Sequence, residues 1–222
     1  MFQCSKIICA IAIVMLLGQA AHAAAPTEVK SSFRWTGLYA GAFAAHSWAK
    51  LKYYEPDWPG FDRNPNINGF TGGVVLGYNY QSRDSIVYGI EADAGLGDLK
   101  KGADASAYNN YSAFEIDWTA HARGRVGIVS NSTLLYVAAG LAIAEITVDD
   151  KDPKWGKDDA THVGWTVGAG IEHALTGNML ARVEYLYDDY GSKDYMINGL
   201  YSYKANVDLT AHTIRVGLFY RF

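Results

Sequence analysis

Charged side chains recur at every second position in several segments of the sequence, and their types suit the formation of buried ion pairs. Arginine is always charged and pairs with carboxylates through two parallel hydrogen bonds, so it is well suited to a network inside a protein. Five carboxylates and five guanidinium groups share this pattern, and no lysine is among them. They are Glu91, Asp93, Asp117, Arg123, Arg125, Glu172, Arg182, Glu184, Arg215 and Arg221. We expect these side chains to point into one interior and to neutralise one another.

Two histidines, His46 and His212, are the candidates for ligand chemistry, because imidazole binds metals and haem iron. If the first and last strands of a closed barrel are neighbours, both lie near the outer headgroup level of a membrane. A hemin, metal or lipopolysaccharide contact is one interpretation, and a pair of interfacial aromatic side chains is the other, which we favour. A third histidine, His121, falls among the charged set and is expected to belong to the polar interior.

The sequence predicts no catalytic residues. A lipid-modifying enzyme needs a nucleophile or an activated water, a base and an orienting acid within hydrogen-bond reach. Asp208 and His212 share one side of a strand with Thr210 between them, and no serine occupies an obvious partner position. The acidic run at 149–152 lacks the spacing of a calcium loop. We therefore expect neither a metal site nor a cofactor.

The C-terminal segment shows which elements position these groups. Apolar side chains occupy every second position from Ile214 to Phe222, and small or polar side chains and a phenylalanine lie between them. A period of two indicates a strand. Seven further segments alternate in the same way, and the eight together are 35–48, 69–80, 86–98, 113–129, 134–147, 161–175, 179–190 and 207–222.

The connections between these segments alternate in length. Short polar turns occur at 81–85, 130–133 and 176–178, whereas the stretches 49–68, 99–112, 148–160 and 191–206 are long and rich in Asp, Lys, Asn and Tyr. This alternation is typical of barrels of the outer membrane, in which short turns face the periplasm and long loops face outward. The predicted fold is all-β, an eight-stranded antiparallel transmembrane β-barrel.

One side of every predicted strand is free of charge, and we assign it to the lipid. A charge at mid-bilayer on that side costs about 2–4 kcal/mol. The other side collects the ten charged residues and most strand glycines. Because an eight-stranded barrel is only just wide enough for side chains, we expect glycine to make room for arginine and the lumen to be plugged by ion pairs.

The N-terminus resembles a secretory signal peptide. Lys6 precedes an apolar stretch from Ile7 to Leu17, and Ala21 to Ala23 fit the small-x-small cleavage rule. The predicted organisation is a signal peptide over 1–23, a periplasmic lead-in over 24–34 and the barrel over 35–222. Both cysteines lie in the signal peptide, which excludes thiol chemistry in the mature chain.

The charge pattern and the loop composition limit the partners. The net charge of -4 and the absence of a basic patch exclude nucleic acid as a partner. The expected partners are lipid and lipopolysaccharide, the barrel-assembly machinery through the C-terminal Phe222, and host surface factors or hemin. The aromatic residues of the predicted loops suit such contacts; they are Tyr53, Tyr54, Trp58, Tyr108, Tyr111, Trp155, Tyr195, Tyr201 and Tyr203.

Several motifs resemble a known family. The segment from Gly168 to Thr176 and the segment Ala181-Arg-Val-Glu-Tyr are similar to strands six and seven of the transmembrane barrel of outer-membrane protein A. The opening at Trp35 and the close at Ile214 to Phe222 resemble the alphaproteobacterial porin-family, or outer-membrane immunogenic, proteins. The resemblance extends over essentially the whole mature chain.

The resemblance implies an interior ion-pair network. Glu91, Arg125, Glu172 and Arg182 match the network of the family, with arginine at 125 where outer-membrane protein A carries a lysine. It also implies a surface antigen in the outer membrane of a Gram-negative bacterium, exported with a cleaved signal. We expect a structural, surface-exposed protein that supports envelope integrity. The alternatives are a narrow passive porin, a hemin-binding surface protein and a lipid A-modifying enzyme.

Overall fold

The computed structural model describes residues 33–54, 66–82, 85–101, 112–150, 156–197 and 203–222. Within them, eight antiparallel strands pair in chain order and close into a barrel, as the sequence predicts. The strands are β1 (Gly37–Tyr54), β2 (Asn66–Gln81), β3 (Ile86–Lys101), β4 (Ser112–Ser130), β5 (Thr133–Asp150), β6 (Gly156–Ala174), β7 (Met179–Ile197) and β8 (Tyr203–Arg221). None of the described residues forms a helix that is long and apolar enough to cross a membrane. The predicted signal peptide and most of the predicted lead-in lie outside the described residues.

The strands are longer than predicted. They contain 16 to 19 residues each, whereas a tilted strand needs only about 9–11 to cross a bilayer. Part of each stretch predicted as a long loop is therefore strand, including 49–54 of β1 and 203–206 of β8. The barrel extends past the membrane on the side opposite the short turns.

A belt of aromatic side chains marks where the strands leave the lipid. His46 lies 4.6 Å, between ring centres, from both Trp48 and Phe70, and Tyr187 lies 5.1 Å from His212. Amphipathic rings favour the headgroup level of a membrane. We call this set the outer aromatic belt; its members are His46, Trp48, Phe70, Trp165, Tyr185, Tyr187 and His212.

The apolar side of a strand changes from outward to inward at this belt. The outward side chains of β8 are Tyr220, Leu218, Val216 and Ile214 on the membrane side of His212, and Thr210, Asp208, Asn206 and Lys204 beyond it. The inward side chains beyond the belt are Ala211, Leu209, Val207 and Ala205, all buried. Outside the membrane the barrel therefore resembles a water-soluble one, with an apolar interior and a polar surface.

The interior is built in three layers. An extracellular apolar cluster, which includes Leu51, Ile116 and Leu209, fills the protruding end. A periplasmic apolar cluster, which includes Trp35, Leu134 and Phe219, fills the opposite end. Charged side chains lie between the two clusters along the strands.

Two tyrosines depart from the prediction. Tyr53 and Tyr195 were expected on loops as contact residues, but each is only 1% exposed within the extracellular apolar cluster. The reason is that β1 and β7 continue through these positions with their inward sides apolar. Burial raises the pKa of the Tyr195 hydroxyl well above its ordinary value, and this hydroxyl lies 2.8 Å from His162 Nε2.

Candidate functional site in the barrel lumen

The middle layer of the lumen contains ten carboxylate, guanidinium and imidazole side chains among the described residues, which we call the lumen network. Strands β3, β4, β6, β7 and β8 supply them at alternate positions, so they all point inward. None is more than 6% exposed. The members are Glu91, Asp93, His121, Arg123, Arg125, Glu172, Arg182, Glu184, Asp188 and Arg215.

Asp117 was predicted to belong to this network, and the prediction is wrong. The pairing of β4 with β5 shifts register between Ile116 and Trp118, and this bulge turns Asp117 outward. Its carboxylate is exposed and accepts a hydrogen bond of 3.3 Å from Thr147 Oγ1. Bulges re-aim side chains in this way.

Arg221, which shares the inward side of β8, also lies outside the network. It is half-buried near the β6–β7 turn, where Nη2 donates to the carbonyl oxygen of Gly177 at 3.1 Å. Its position at the end of the last strand places it at the periplasmic rim rather than among the carboxylates.

Glu172 joins two arginines at the periplasmic side of the network. Arg125 donates to both of its carboxylate oxygens, at 2.8 and 2.9 Å. Arg182 donates from Nε to Glu172 Oε1 at 2.6 Å, and its Nη2 lies 2.7 Å from Glu91 Oε2. Two-point pairing of this kind restrains geometry as well as charge.

Arg123 connects the opposite walls of the barrel. Its Nη1 donates to Glu184 Oε1 at 3.0 Å, and its Nη2 donates to Asp93 Oδ2 at 3.0 Å and to Glu91. Arg215 Nη1 lies 3.0 Å from Asp93 Oδ1. The carboxylates of β3 are thus held by arginines from both β4 and β8.

Two tyrosines complete the hydrogen bonding of the carboxylates, and glycines make room for them. Tyr39 donates to Glu91 Oε2 at 2.6 Å, and Tyr136 donates to Glu184 Oε1 at 2.8 Å. A Cβ at Gly77 would overlap the ring of Tyr39, and a Cβ at Gly170 would overlap that of Tyr136. The sequence predicted that glycine makes room for arginine, but at these two positions it makes room for tyrosine.

Aromatic rings also cover the guanidinium planes. Arg125 lies 4.2 Å from the centre of the Tyr136 ring, and Arg182 lies 4.2 Å from that of Phe219. Arg215 lies 4.5 Å from the ring centre of Phe43. Cation–π contacts of this kind are favourable where water is excluded. They join the network to the periplasmic apolar cluster.

Asp188 is a network member that the sequence analysis missed. It continues the inward series of Arg182, Glu184 and Leu186 on β7, so the alternation itself contained the signal. Asp189 follows it directly, so the sequence offers two adjacent carboxylates near the end of the predicted strand. The pairing of β7 with β8 also shifts register between Asp189 and Ser192. Asp188 is 2% exposed, and it faces His121 of β4.

The structure does not bring His46 and His212 together as a site. β1 and β8 are neighbours, but His46 pairs in register with Ile214 and His212 with Trp48. The ring of His46 contacts Trp48 and Phe70. The ring of His212 turns toward β7, where its Nδ1 lies 2.7 Å from the hydroxyl of Tyr185. Both are members of the outer aromatic belt.

Metal binding has little support among the residues that the structure describes. Within those ranges, no group of three or more His, Cys, Asp or Glu side chains is placed to hold a metal ion. The lumen network can hold the barrel walls together and fill the space between the two apolar clusters.

Comparison with known proteins now gives the family. Residues 9–222 match the family described as outer membrane protein beta-barrel domain. The chain belongs to this family of outer-membrane β-barrel proteins. It is 36% identical over 206 residues to the 25 kDa outer-membrane immunogenic protein of Brucella abortus, with 89% of this chain and 84% of the relative covered. It is 38% identical over 169 residues to a 22 kDa outer membrane protein of Rhizobium leguminosarum, with 75% and 70% covered.

Solved structures agree on the fold. The outer membrane protein OprG of Pseudomonas aeruginosa superposes with a TM-score of 0.55 at 13% identity, over 85% of this chain and 97% of OprG. As a member of its family, this β-barrel lies in the outer membrane of a Gram-negative bacterium, where lipid and lipopolysaccharide surround it. The predicted family, fold and location are confirmed.

Proposed function

We propose that this outer-membrane protein is a structural and surface-exposed component of the cell envelope, with a lumen closed to solutes. The observation that carries the proposal is the filling of the interior. The lumen network is buried between two apolar clusters, and carboxylates on β3, β6 and β7 bind arginines across the barrel. Among the described residues, an interior that is packed and cross-linked in this way stabilises the wall and occupies the space that a water-filled channel would need.

The outer surface beyond the aromatic belt supports a role in contacts at the cell surface. Lys50 and Lys52 are exposed on β1, directly beyond Trp48, and the side chain of Lys52 is 74% exposed. Lysines at this height are suited to the phosphate groups of lipopolysaccharide. Asp208 lies 3.9 Å from Lys52 and is held only loosely by it. We also propose host surface factors as partners, because this part of the barrel is exposed at the cell surface.

We propose no enzymatic activity. His212 Nδ1 is engaged with Tyr185, and Asp208 accepts a hydrogen bond of 3.3 Å from Ser192 Oγ, so these groups do not form an aligned base and acid. Hemin binding through His46 and His212 is not favoured either, because the two rings turn toward different strands.

Deletion of the gene tests this proposal. The deletion strain should become more sensitive to bile salts and to sodium dodecyl sulfate, and its uptake of small hydrophilic solutes should stay unchanged. Complementation with the wild-type gene should restore detergent resistance. A strain whose solute uptake slows while its detergent resistance stays the same would favour the passive porin instead.

A further inference from the structure

A small cavity lies between the lumen network and the extracellular apolar cluster. Its volume is about 20 Å³, and its lining includes His121, Asp188, Tyr190, Thr119 and Arg215. A cavity of about 10–15 Å³ suffices for one water molecule when two to four polar partners surround it. This cavity therefore has the size and the polarity of a site for a single water.

The imidazole and the carboxylate that line this cavity each have one buried polar atom without a hydrogen-bond partner among the described residues. These atoms are His121 Nε2 and Asp188 Oδ1, which lie 3.4 Å apart. His121 is 4% exposed and Asp188 is 2% exposed. Buried polar groups are nearly always hydrogen-bonded, to protein or to ordered water. Both atoms therefore point to a missing partner between them or beside them.

The charges around His121 are unequal without it. The lumen network contains five carboxylates and four guanidinium groups. A net charge that is buried in a medium of low dielectric constant is strongly unfavourable. One further positive charge is needed for balance, and His121 is the one member of the network that can supply it.

The contacts of the imidazole agree with this balance. His121 Nδ1 lies 2.8 Å from Asp93 Oδ1 of β3, a distance that requires a proton on the nitrogen, because a carboxylate only accepts. Nε2 faces the carboxylate of Asp188 on β7. Arg215 of β8 is the opposing contact: its Nη2 lies 3.1 Å from Nδ1 and, as a donor with like charge, it disfavours a protonated ring, whereas Asp93 and Asp188 favour it.

We propose that His121 is the fifth cation of the lumen network and that one water molecule occupies the cavity beside it. His121 donates from Nδ1 to Asp93 and from Nε2 to the water, and the water donates to Asp188 Oδ1. The hydroxyl groups of Thr119 and Tyr190 line the same cavity and offer the water further partners. The charge balance of the lumen network does not depend on the cellular role proposed above.

Nitrogen-15 NMR of histidine-labelled protein in lipid nanodiscs tests the charge. The signals of His121, assigned by their loss in His121→Gln, should show both ring nitrogens protonated at neutral pH. His173, an exposed histidine on β6, is the internal control for a ring outside the lumen network, and its signals should stay unchanged in His121→Gln. A His121 ring with only one protonated nitrogen would overturn the proposal, and wild-type protein suffices for this measurement if the variant does not fold.

A double-mutant cycle separates the proposal from a general loss of packing. His121→Gln and Asp188→Asn should each raise the equilibrium constant for unfolding at least tenfold, because each leaves one unbalanced charge. The double variant keeps four carboxylates opposite four arginines and should recover most of that loss. If Asp188→Asn alone is as stable as wild type, Asp188 is itself protonated and His121 is neutral, which contradicts the proposal. Losses that simply add would contradict it as well.

The water is tested by diffraction at high resolution. A single peak of density should lie within about 2.7–3.2 Å of both His121 Nε2 and Asp188 Oδ1. A direct hydrogen bond between these two atoms with no density in the cavity would refute the water site. The protonation of His121 is decided separately by the NMR measurement.

Discussion

Arg182 shows how a single side chain holds several parts of the barrel. It pairs with Glu172 and Glu91 from two other strands, and its guanidinium plane lies against Phe219. Removing one member of such a group leaves an excess of like charge buried among the remaining partners. The loss is therefore larger than the net worth of the ion pairs themselves.

Replacement of Arg182 by methionine should lower the free energy of unfolding by about 3–5 kcal/mol, because it removes one of the cations that balance the buried carboxylates of Glu172 and Glu91. Arg221→Met is the matched control on the inward side of β8. Since Arg221 is half-buried and, among the described residues, donates to the backbone carbonyls of Thr36 and Gly177 and lies over the ring of Phe33, we expect a loss of at most about 1 kcal/mol. Urea unfolding in lipid vesicles, followed by tryptophan fluorescence, measures both. Equal losses in the two variants would show that the network does not restrain the wall.

Gly77 gives a second test at the residue scale. A methyl group there would overlap the ring of Tyr39, which donates a hydrogen bond to Glu91. We expect Gly77→Ala to cost about 1–3 kcal/mol through overpacking. Gly124→Ala is the control, because nothing lies within 4 Å of the added atom on the lipid side. Comparable stability of the two variants in the same unfolding assay would contradict the packing described for Tyr39.

The sequence indicates the residue types of the lumen network better than their partners. Alternation places Glu91, Arg125 and Arg182 on one side of their strands, and a closed barrel then turns them inward. Which carboxylate meets which arginine depends on the stagger of strands that are far apart in the chain. Asp117 could not be placed correctly, because a bulge of one residue reverses the side on which a side chain lies.

At the scale of the strand, the change of character at the outer aromatic belt is the main structural feature. The period of two continues through the belt, but the apolar side changes from outward to inward. The predicted first strand ends at residue 48, and Lys50 and Lys52 follow it on the outward side. Ala49, Leu51 and Tyr53 continue the strand on the inward side, where they are buried. If the apolar side of a strand is required to face the lipid, the predicted strand stops at the membrane surface.

Lysine substitutions on β8 locate this boundary. Val216→Lys places a charge midway between His212 and Tyr220 on the lipid side of the belt and should lower stability by about 2–4 kcal/mol. Thr210→Lys, six residues away on the same outward side, lies beyond His212 and should cost about 0–1 kcal/mol. Urea unfolding of both variants in lipid vesicles measures the difference between their free energies of unfolding. A large loss at position 210 would mean that the lipid extends further along the strand than the belt indicates.

For the whole molecule, the three interior layers act together. The lumen network alone would be costly to bury, but apolar clusters at both ends exclude water from it, and the tyrosines satisfy its remaining acceptors. Composition and alternation predicted the barrel and its location correctly. The apolar cluster beyond the membrane was not predicted, since about half of it, including Leu51, Tyr195 and Ala205, comes from stretches that were predicted as loops.

Current measurements across planar bilayers test the closed lumen most directly. Refolded protein, shown to be inserted by its heat-dependent mobility on a gel, is added to a bilayer in concentrated salt, with a trimeric porin as the positive control in a separate bilayer. We expect no steady channel, because ion pairs between β3, β4, β6, β7 and β8 fill the lumen. Large, steady and uniform single-channel steps from the wild-type protein would contradict a closed barrel.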